Sequence, residues 1–147
     1  MKKIWFILLA MLLLCACGRD VAPLETSVPA EKTVIRLAQT VETEKDGIRL
    51  RIDAFESGTL SLRLFNRSGK MWYYGESFAV YRRNTEGGWT KMPDDRSWTA
   101  IAYELEDGDE VWLACDLSEM PMEAGTYKLV RDGMELSFRL IWVIEEK

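Results

Sequence analysis

The sequence predicts an all-β fold, built either as a sandwich of two antiparallel sheets or as a small barrel. Three observations lead to this prediction. Apolar and polar residues alternate with a period of two, glycine-containing turns recur at regular intervals, and no stretch keeps a 3.6-residue period over a helical length. Many short strands without helices to cover them are typical of these two architectures.

The first expected strands begin at residue 33. A short apolar run covers residues 33–37, and two alternating runs at residues 48–54 and 60–65 flank Ser57-Gly58. A two-residue turn between two alternating runs predicts a β-hairpin. Further glycine turns separate runs rich in aromatic and branched residues, which we expect to form the remaining strands: residues 71–74, 78–83, 98–105, 111–117, 126–131 and 134–144.

The last expected strand changes character along its length. Leu136, Phe138 and Leu140 alternate with polar residues, whereas residues 141–143 are apolar on both faces, as in a strand covered on both sides. We expect the first strand, residues 33–37, to provide the cover, and a partner surface is the alternative.

Tyr127 favours the sandwich over the barrel. It begins a strand just after the turn at Glu123-Ala124, where its hydroxyl can bond back to the backbone of the loop. This arrangement is the tyrosine corner of Greek-key sandwiches, in which the tyrosine has a structural role.

Several motifs between residues 41 and 140 follow one another in a recognisable order. They are Gly47 with its strand, Leu60 to Asn66-Arg67-Ser68, Tyr74-Gly75-Glu76, Gly88-Trp89, Ile101-Ala102-Tyr103-Glu104-Leu105 and Gly125-Thr126-Tyr127. This order resembles the bacterial Ig-like domains of exported proteins of Gram-positive bacteria. The resemblance implies an Ig-like antiparallel β-sandwich of Greek-key type and a cell-surface setting, and it brings no catalytic residues. The core cysteine pair of antibody domains is absent.

The N-terminus has the three regions of a secretory signal: two lysines, an apolar run from Ile4 to Leu14, and small residues before a cysteine. The segment Leu14-Cys15-Ala16-Cys17 resembles a bacterial lipobox, so Leu14, Cys15 and Ala16 are the expected recognition residues for the signal peptidase. The resemblance implies that the thiol of Cys17 takes a diacylglyceryl group and that the amino end often takes a further acyl chain.

Two alternatives to this lipobox are weaker. A membrane-spanning helix needs about 20 apolar residues, and the run is shorter than that. Acylation at Cys15 would place bulky Leu14 before the cut, where a small residue is needed. We therefore expect residues 1–16 to be removed, residues 17–32 to form a lipidated flexible linker, and residues 33–147 to form one domain on the extracytoplasmic side of a bacterial membrane.

The charge and the cysteine content of the chain limit the classes of partner and the disulfides that are possible. The net charge of −5 becomes about −7 once Lys2 and Lys3 are removed, and no basic cluster offsets it, which argues against binding to nucleic acid or anionic lipid. Once Cys15 is cleaved off and Cys17 is acylated, Cys115 has no cysteine left to pair with. It lies on the same face of its expected strand as Val111 and Leu113, so we expect a buried thiol.

The sequence offers no catalytic residues and no cofactor site. The absence of histidine excludes His-based triads and the common zinc sites. Carboxylate pairs for glycoside hydrolysis have no sequence spacing that would reveal them, and nothing favours them here. An acidic run could offer oxygens to calcium, but its spacing matches no calcium loop and we interpret it as a solvated hairpin turn: Glu104, Glu106, Asp107, Asp109 and Glu110.

Aromatic residues are the remaining candidates for contact. Trp72, Tyr73 and Tyr74 are consecutive, so a strand would expose one or two of them, and with Trp89 and Trp98 they are candidate binding residues. In the alternative interpretation Trp72 and Tyr74 are core and Tyr73 lies against a neighbouring strand. We expect a non-catalytic module that binds another envelope protein, and carbohydrate or cell-wall glycan binding is the alternative function.

Overall fold

The computed structural model describes residues 31–145. Every regular element in this part of the chain is a β-strand, which confirms the all-β prediction. The eleven strands are β1 (Lys32–Leu37), β2 (Val41–Lys45), β3 (Ile48–Glu56), β4 (Thr59–Asn66), β5 (Trp72–Tyr74), β6 (Phe78–Arg83), β7 (Trp89–Lys91), β8 (Tyr103–Leu105), β9 (Glu110–Asp116), β10 (Gly125–Arg131) and β11 (Met134–Glu145). Residues 31–145 contain no helix long and apolar enough to cross a membrane.

The strands form two antiparallel sheets and a short ribbon. The five-stranded sheet has the order β1-β11-β10-β6-β7, the four-stranded sheet has the order β2-β3-β4-β9, and β5 pairs with β8 alone. After β4 the chain crosses to the other sheet, returns as β9 beside β4, and crosses again to place β10 between β6 and β11. The predicted sandwich is confirmed, and these crossings make it a Greek-key arrangement.

The core lies between the two sheets and comes from alternate residues of the paired strands. Each fully buried leucine or isoleucine contributes about 1.5–3 kcal/mol relative to an exposed one, so the core holds the fold without a disulfide. The most completely buried apolar side chains are Leu50, Ile52, Leu60, Leu62, Leu64, Val80, Leu117, Tyr127, Leu129 and Leu140. The thiol of Cys115 is free and buried among them, as predicted.

Tight turns connect the paired strands where the sequence predicts them. At the β3–β4 turn, Ser57 and Gly58 have φ angles of 49° and 82°, the left-handed pair that suits a two-residue hairpin. At Gly47 a glycine is required for space as well, because a Cβ there would lie 2.7 Å from Ser68 Cα. The predicted hairpin of β3 and β4 is confirmed by its pairing, which runs from Ile48–Asn66 to Glu56–Thr59.

The structure departs from the predicted strands in three places. Of residues 98–105 only the last three form a strand, β8, and β2 and β7 were not among the predicted runs. The acidic turn joins β8 to β9, which pair with different strands, so its interpretation as a hairpin turn is wrong. Short edge strands are defined by hydrogen bonds to a neighbour, and neither β2 nor β7 has enough buried positions to produce a pattern.

The expectation for the end of β11 is half right. The first strand does pair with it, from Lys32–Glu145 to Leu37–Leu140. That pairing occupies the hydrogen-bonding edge of β11 and leaves its faces open, so Trp142 is 57% exposed and Ile144 is 60% exposed. The prediction that residues 141–143 are covered on both sides is therefore wrong at Trp142.

Tyr127 makes the hydrogen bonds that a tyrosine corner requires. Its hydroxyl donates to the carbonyl of Glu123 at 2.9 Å and accepts from the N–H of Glu123 at 3.1 Å. The ring is fully buried and stacks on Phe138, with ring centroids 5.6 Å apart. The bonds tie the loop before β10 to the core.

Candidate functional site

The predicted aromatic residues do not all come together on one surface. Trp72 and Tyr74 share a face of β5, half-buried against the core, whereas Tyr73 points outward and is 56% exposed. Trp89 is half-buried on the five-stranded sheet, with Lys128 Nζ 5.3 Å from the centre of its ring. The alternative interpretation therefore describes Trp72 and Tyr74 correctly, and Tyr73 stands in solvent. A binding role for any of the four stays a prediction.

Two of the predicted residues, Tyr74 and Trp98, line a groove of about 420 Å³ together with aromatic rings that were not predicted. Its rim carries the exposed rings of Trp98, Tyr103 and Trp112, with the carboxylate of Glu76 among its lining side chains. We call this feature the aromatic groove. The depression of about 710 Å³ beside Arg82 and Pro93 is larger, but no aromatic ring lines it. Exposed aromatic rings are the side chains on which binding energy most often concentrates, so the aromatic groove is the better candidate.

The rings of the aromatic groove come from three segments that the fold holds in place. Tyr103 lies on β8 and stacks on Tyr74 at 5.4 Å, and Trp98 packs against Phe78 at 4.9 Å between ring centroids. Trp112 projects from β9, where the guanidinium of Arg63 lies 4.5 Å from the centre of its ring. Each ring is supported on one side by another side chain, which leaves its position preorganised for contact.

Asn66 attaches the ribbon of β5 and β8 to the sandwich. Its buried amide nitrogen donates to the carbonyl of Leu105 at 2.8 Å and to that of Lys70 at 2.7 Å, while its amide oxygen accepts from the N–H of Ser68 at 3.0 Å. The side chain of Asn66 is fully buried. The glycosylation-like spacing of Asn66-Arg67-Ser68 is therefore part of a turn, with a structural role for the amide.

Glu76 is a charged group of the aromatic groove that has no ion-pair partner among residues 31–145. Its carboxylate accepts hydrogen bonds from the hydroxyls of Tyr103 at 2.6 Å and Thr99 at 3.0 Å. These two bonds favour the charged form and lower the pKa of Glu76, while the same contact raises the pKa of Tyr103. No lysine or arginine among residues 31–145 forms an ion pair with Glu76. The charge of the nearby Arg131 lowers the pKa of Glu76 further, so a negative charge with neutral hydrogen-bond partners remains at neutral pH.

Arg96 forms part of the wall of the aromatic groove, and its guanidinium is already bonded to other groups of the protein. It forms a two-bond pair with Asp94, with Nε 2.7 Å from Oδ1 and Nη2 3.0 Å from Oδ2, which lowers the pKa of Asp94. Its guanidinium lies 4.7 Å from the ring centre of Phe78 and 4.9 Å from that of Trp98. The third nitrogen of Arg96 donates to the carbonyl of Asp116.

Beneath the aromatic groove lies a buried arginine. Arg131 Nη2 donates to the carbonyl of Gly75 at 2.6 Å, its Nη1 to Cys115 Sγ at 3.5 Å, and its Nε lies 3.3 Å from Asp132 Oδ2. Burial raises the pKa of the Cys115 thiol to about 11, so the thiol stays protonated and unreactive at neutral pH. The contacts of Arg131 therefore give the floor of the aromatic groove a structural role.

The acidic turn is held by bonds within the protein. The carboxylate of Asp107 accepts from the N–H of Gly69 at 2.8 Å, and the N–H of Gly108 donates to the carbonyl of Asn66 at 2.8 Å. Across residues 31–145, no three His, Cys, Asp or Glu side chains converge as a metal site would require.

The comparison with protein families agrees with the fold. The family model described as a bacterial Ig-like domain matches residues 36–139. The chain belongs to the bacterial Ig-like domain family. Neither the curated proteins nor the solved structures contain a significant match to it. Domains of this family are accessory modules at the bacterial cell surface, which is the coarse setting in which the aromatic groove has to be understood.

Sequence reasoning missed most of the aromatic groove of this Ig-like domain. Trp98 was a candidate, whereas Tyr103 and Trp112 were not, and Glu76 entered only through the family resemblance. One signal was available for Trp112: it alternates with Val111 and Leu113, whose side chains face inward, so the period of two directs it outward. Nothing local marks Glu76 or Tyr103, because their meeting depends on two segments 27 positions apart.

Proposed function

We propose that the protein is a lipid-anchored lipoprotein whose Ig-like domain binds another envelope protein, without catalysis, on the extracytoplasmic side of the membrane. The observation that supports it most is the aromatic groove: three exposed rings and an ionised carboxylate held on a rigid sandwich. Trp and Tyr are enriched among the residues that dominate protein interfaces, and preorganised side chains lose little entropy on binding.

The lipid anchor in this proposal depends on the lipobox alone. Residues 14–17 lie outside the described residues, and so does most of the linker, residues 17–32. A flexible segment of this length spans roughly 20 Å on average, and two acyl chains suffice for stable membrane attachment. The domain would therefore work close to the bilayer, within reach of other envelope proteins.

Glycan binding is the second candidate function, and a specific feature favours it. Trp98 and Trp112 offer ring faces on which a sugar could stack, and the carboxylate of Glu76 could accept hydrogen bonds from sugar hydroxyls. The proposed ligand of this kind is a cell-wall polysaccharide. Of the tryptophans that the sequence singled out, only Trp98 belongs to the aromatic groove.

Crosslinking in intact cells tests the proposal. The tagged full-length lipoprotein is compared with Trp112→Ala, and Tyr73→Ala serves as a matched control because Tyr73 is similarly exposed but lies outside the aromatic groove. We expect one reproducible protein partner with the wild type and the control, and its loss with Trp112→Ala. Recovery of wall glycan that is lost with Trp112→Ala would favour the second function. Equal capture by the wild type and Trp112→Ala would contradict both functions.

The anchor has its own test. We expect Cys17→Ser to leave the protein unprocessed or to release it from the membrane fraction. A variant that stays in the membrane at the normal mature size would show that Cys17 is not the attachment site.

A further inference from the structure

We propose that the aromatic groove binds an extended peptide segment as an additional strand on the open edge of β9, with a lysine or arginine of that segment paired to Glu76. The inference rests on the proposed function, because it specifies how the protein partner is held. Three features of the structure support it: the direction of the β9 backbone, the charge of the aromatic groove, and the ring faces around it.

One edge of β9 is open. This strand pairs with β4 alone, from Thr59–Asp116 to Phe65–Glu110. Beside it, β8 forms its hydrogen bonds with β5 instead. An edge strand with unpaired backbone groups is a template on which another strand can pair.

At the open edge of β9, the outward-pointing backbone groups are those of Trp112 and Ala114. In a strand, the N–H and C=O of one residue point to the same side, and successive residues alternate. The N–H of Leu117 donates to the carbonyl of Gly58 at 2.7 Å, so the odd-numbered residues of β9 point toward β4. The even-numbered residues point away, which agrees with the bond from Arg96 to the carbonyl of Asp116.

These backbone groups face the aromatic groove and have no protein partner there. Residues 111–114 line the aromatic groove, and the hydrogen bonds of the described residues outside the sheets involve the backbone of neither Trp112 nor Ala114. Two donors and two acceptors are therefore available along about 7 Å of strand. An extended peptide is the ligand whose own backbone satisfies such a row, whereas a helix satisfies its backbone internally.

The charge of the aromatic groove selects a basic side chain. The ionised carboxylate of Glu76 accepts hydrogen bonds from the neutral hydroxyls of Tyr103 and Thr99, and the nearby cation Arg131, which forms no ion pair with it, is already bonded to Gly75, Cys115 and Asp132. The rings nearby already accept guanidinium groups of this protein, since Arg63 lies over Trp112 and Arg96 over Trp98. A peptide lysine or arginine would gain the same ring contact together with an ion pair to Glu76.

Peptide titration of the full-length protein tests this inference. The probe is an eight-residue peptide of alternating threonine and valine with one central lysine, and the controls replace that lysine by glutamate or methylate alternate backbone nitrogens. We expect the glutamate peptide and the methylated peptide to bind at least tenfold more weakly, and the exchange of the Trp112 and Ala114 amide hydrogens to slow at least tenfold when the lysine peptide binds. Failure of the lysine peptide to bind at millimolar concentration, or equal binding of the methylated peptide, would overturn the inference.

Two variants test separately how much the backbone pairing and the ion pair contribute to peptide binding. Ala114→Pro removes one outward N–H, a change that edge strands tolerate because no sheet bond is lost, and we expect it to abolish peptide binding. Glu76→Gln should weaken the lysine peptide about tenfold and should strengthen the glutamate peptide, because the repulsion between two carboxylates is removed, while Tyr73→Ala should change neither. Equal peptide affinity for wild type and Glu76→Gln would remove the ion pair from the inference, even if Ala114→Pro did not fold.

The cell experiment keeps the two proposals distinguishable. A protein partner that depends on Trp112 in cells but is captured equally well by Ala114→Pro would leave the proposed function standing and overturn strand addition. Peptide binding in solution without any captured protein would contradict the proposed function instead.

Discussion

The aromatic groove and the C-terminal end of β11, residues 141–145, each expose a tryptophan beside an open strand edge, yet they differ in the charges around it. Trp112 is 61% exposed and Trp142 is 57% exposed. Beside Trp142, Arg36 pairs with Glu145 and lies 3.4 Å from Glu56, so the charges there are already satisfied. One edge of this segment pairs with β1, whereas the pairing of β11 with β10 ends at Leu140 and leaves the other edge open. At the aromatic groove, a carboxylate without an ion pair accompanies the ring and the open edge of β9.

The difference teaches that an exposed tryptophan is a weak indicator of a binding site by itself. Single apolar side chains on a surface are normal in folded proteins. What distinguishes the aromatic groove is the carboxylate of Glu76, which forms no ion pair among residues 31–145, together with the further exposed rings of Trp98 and Tyr103.

The largest expected difference between the two regions is in stability. Arg131→Ala should lower the free energy of unfolding by about 3 kcal/mol, because it leaves the largely buried carboxylate of Asp132, 12% exposed, without its cation. Arg36→Ala, at the β11 end, should have a much smaller effect because its ion pairs are open to solvent. Urea unfolding followed by tryptophan fluorescence measures both. Similar losses would show that the floor of the aromatic groove is no more constrained than the surface.

The next effect concerns binding. Trp112→Ala should weaken the captured partner, or the lysine peptide, at least tenfold, whereas Trp142→Ala should leave binding unchanged. The reason is that Trp112 stands beside a carboxylate without an ion pair, whereas the charges beside Trp142 are paired with each other. Truncating a central aromatic ring at an interface costs about 1.4 kcal/mol or more, roughly a factor of ten in affinity. Titration of both variants measures the contrast. A greater loss with Trp142→Ala would move the site to the end of β11.

Tyr127→Phe should separate stability from binding. The substitution removes the hydroxyl that bonds to the backbone of Glu123, and we expect a loss of about 1 kcal/mol in the free energy of unfolding. The loop that these bonds hold includes Met120 and Met122, which line a depression beside Trp142 and lie outside the aromatic groove. Peptide affinity should therefore be unchanged. A parallel loss of affinity would indicate that the two regions are coupled.

The smallest effect is the pH dependence of the aromatic groove. Because the pKa of Glu76 is lowered in the folded protein, its charge persists at pH values where an unfolded glutamate, with a pKa of about 4.3, already protonates. Binding of the lysine peptide should stay constant from pH 7 to about pH 5 and weaken only as the pH falls through the lowered pKa. Fluorescence titration at several pH values measures this, with Glu76→Gln as the control that should show no such decline. Weakening that begins near pH 6 would contradict the assignment.

The same carboxylate should make a modest contribution to stability. A lowered pKa means that the contribution of Glu76 is fully present above the unfolded value and is lost as the pH falls through the folded one. Urea unfolding of wild type and Glu76→Gln should therefore converge at acid pH. Curves that diverge on acidification would show that the hydrogen bonds from Tyr103 and Thr99 do not favour the charged form.

Local patterns in the sequence were sufficient to predict the longer strands, the hairpin turn between β3 and β4, and the faces of the central strands. The alternation around Leu50, Leu62 and Cys115 predicted which side chains enter the core, and Tyr127 followed from its place after a turn. These features depend on residues within a few positions of one another, because the period of a strand and the backbone angles of a turn are local properties.

The tertiary structure alone decided where the aromatic groove lies. Glu76, Trp98, Tyr103 and Trp112 belong to separate segments, and they meet because β9 pairs with β4 while β8 pairs with β5. It also decided that Trp72 and Tyr74 are half-buried and that Trp142 is exposed. Alternation assigns a residue to one side of its strand, but what covers that side depends on the order of strands in the sheets, which arises from contacts between distant parts of the chain.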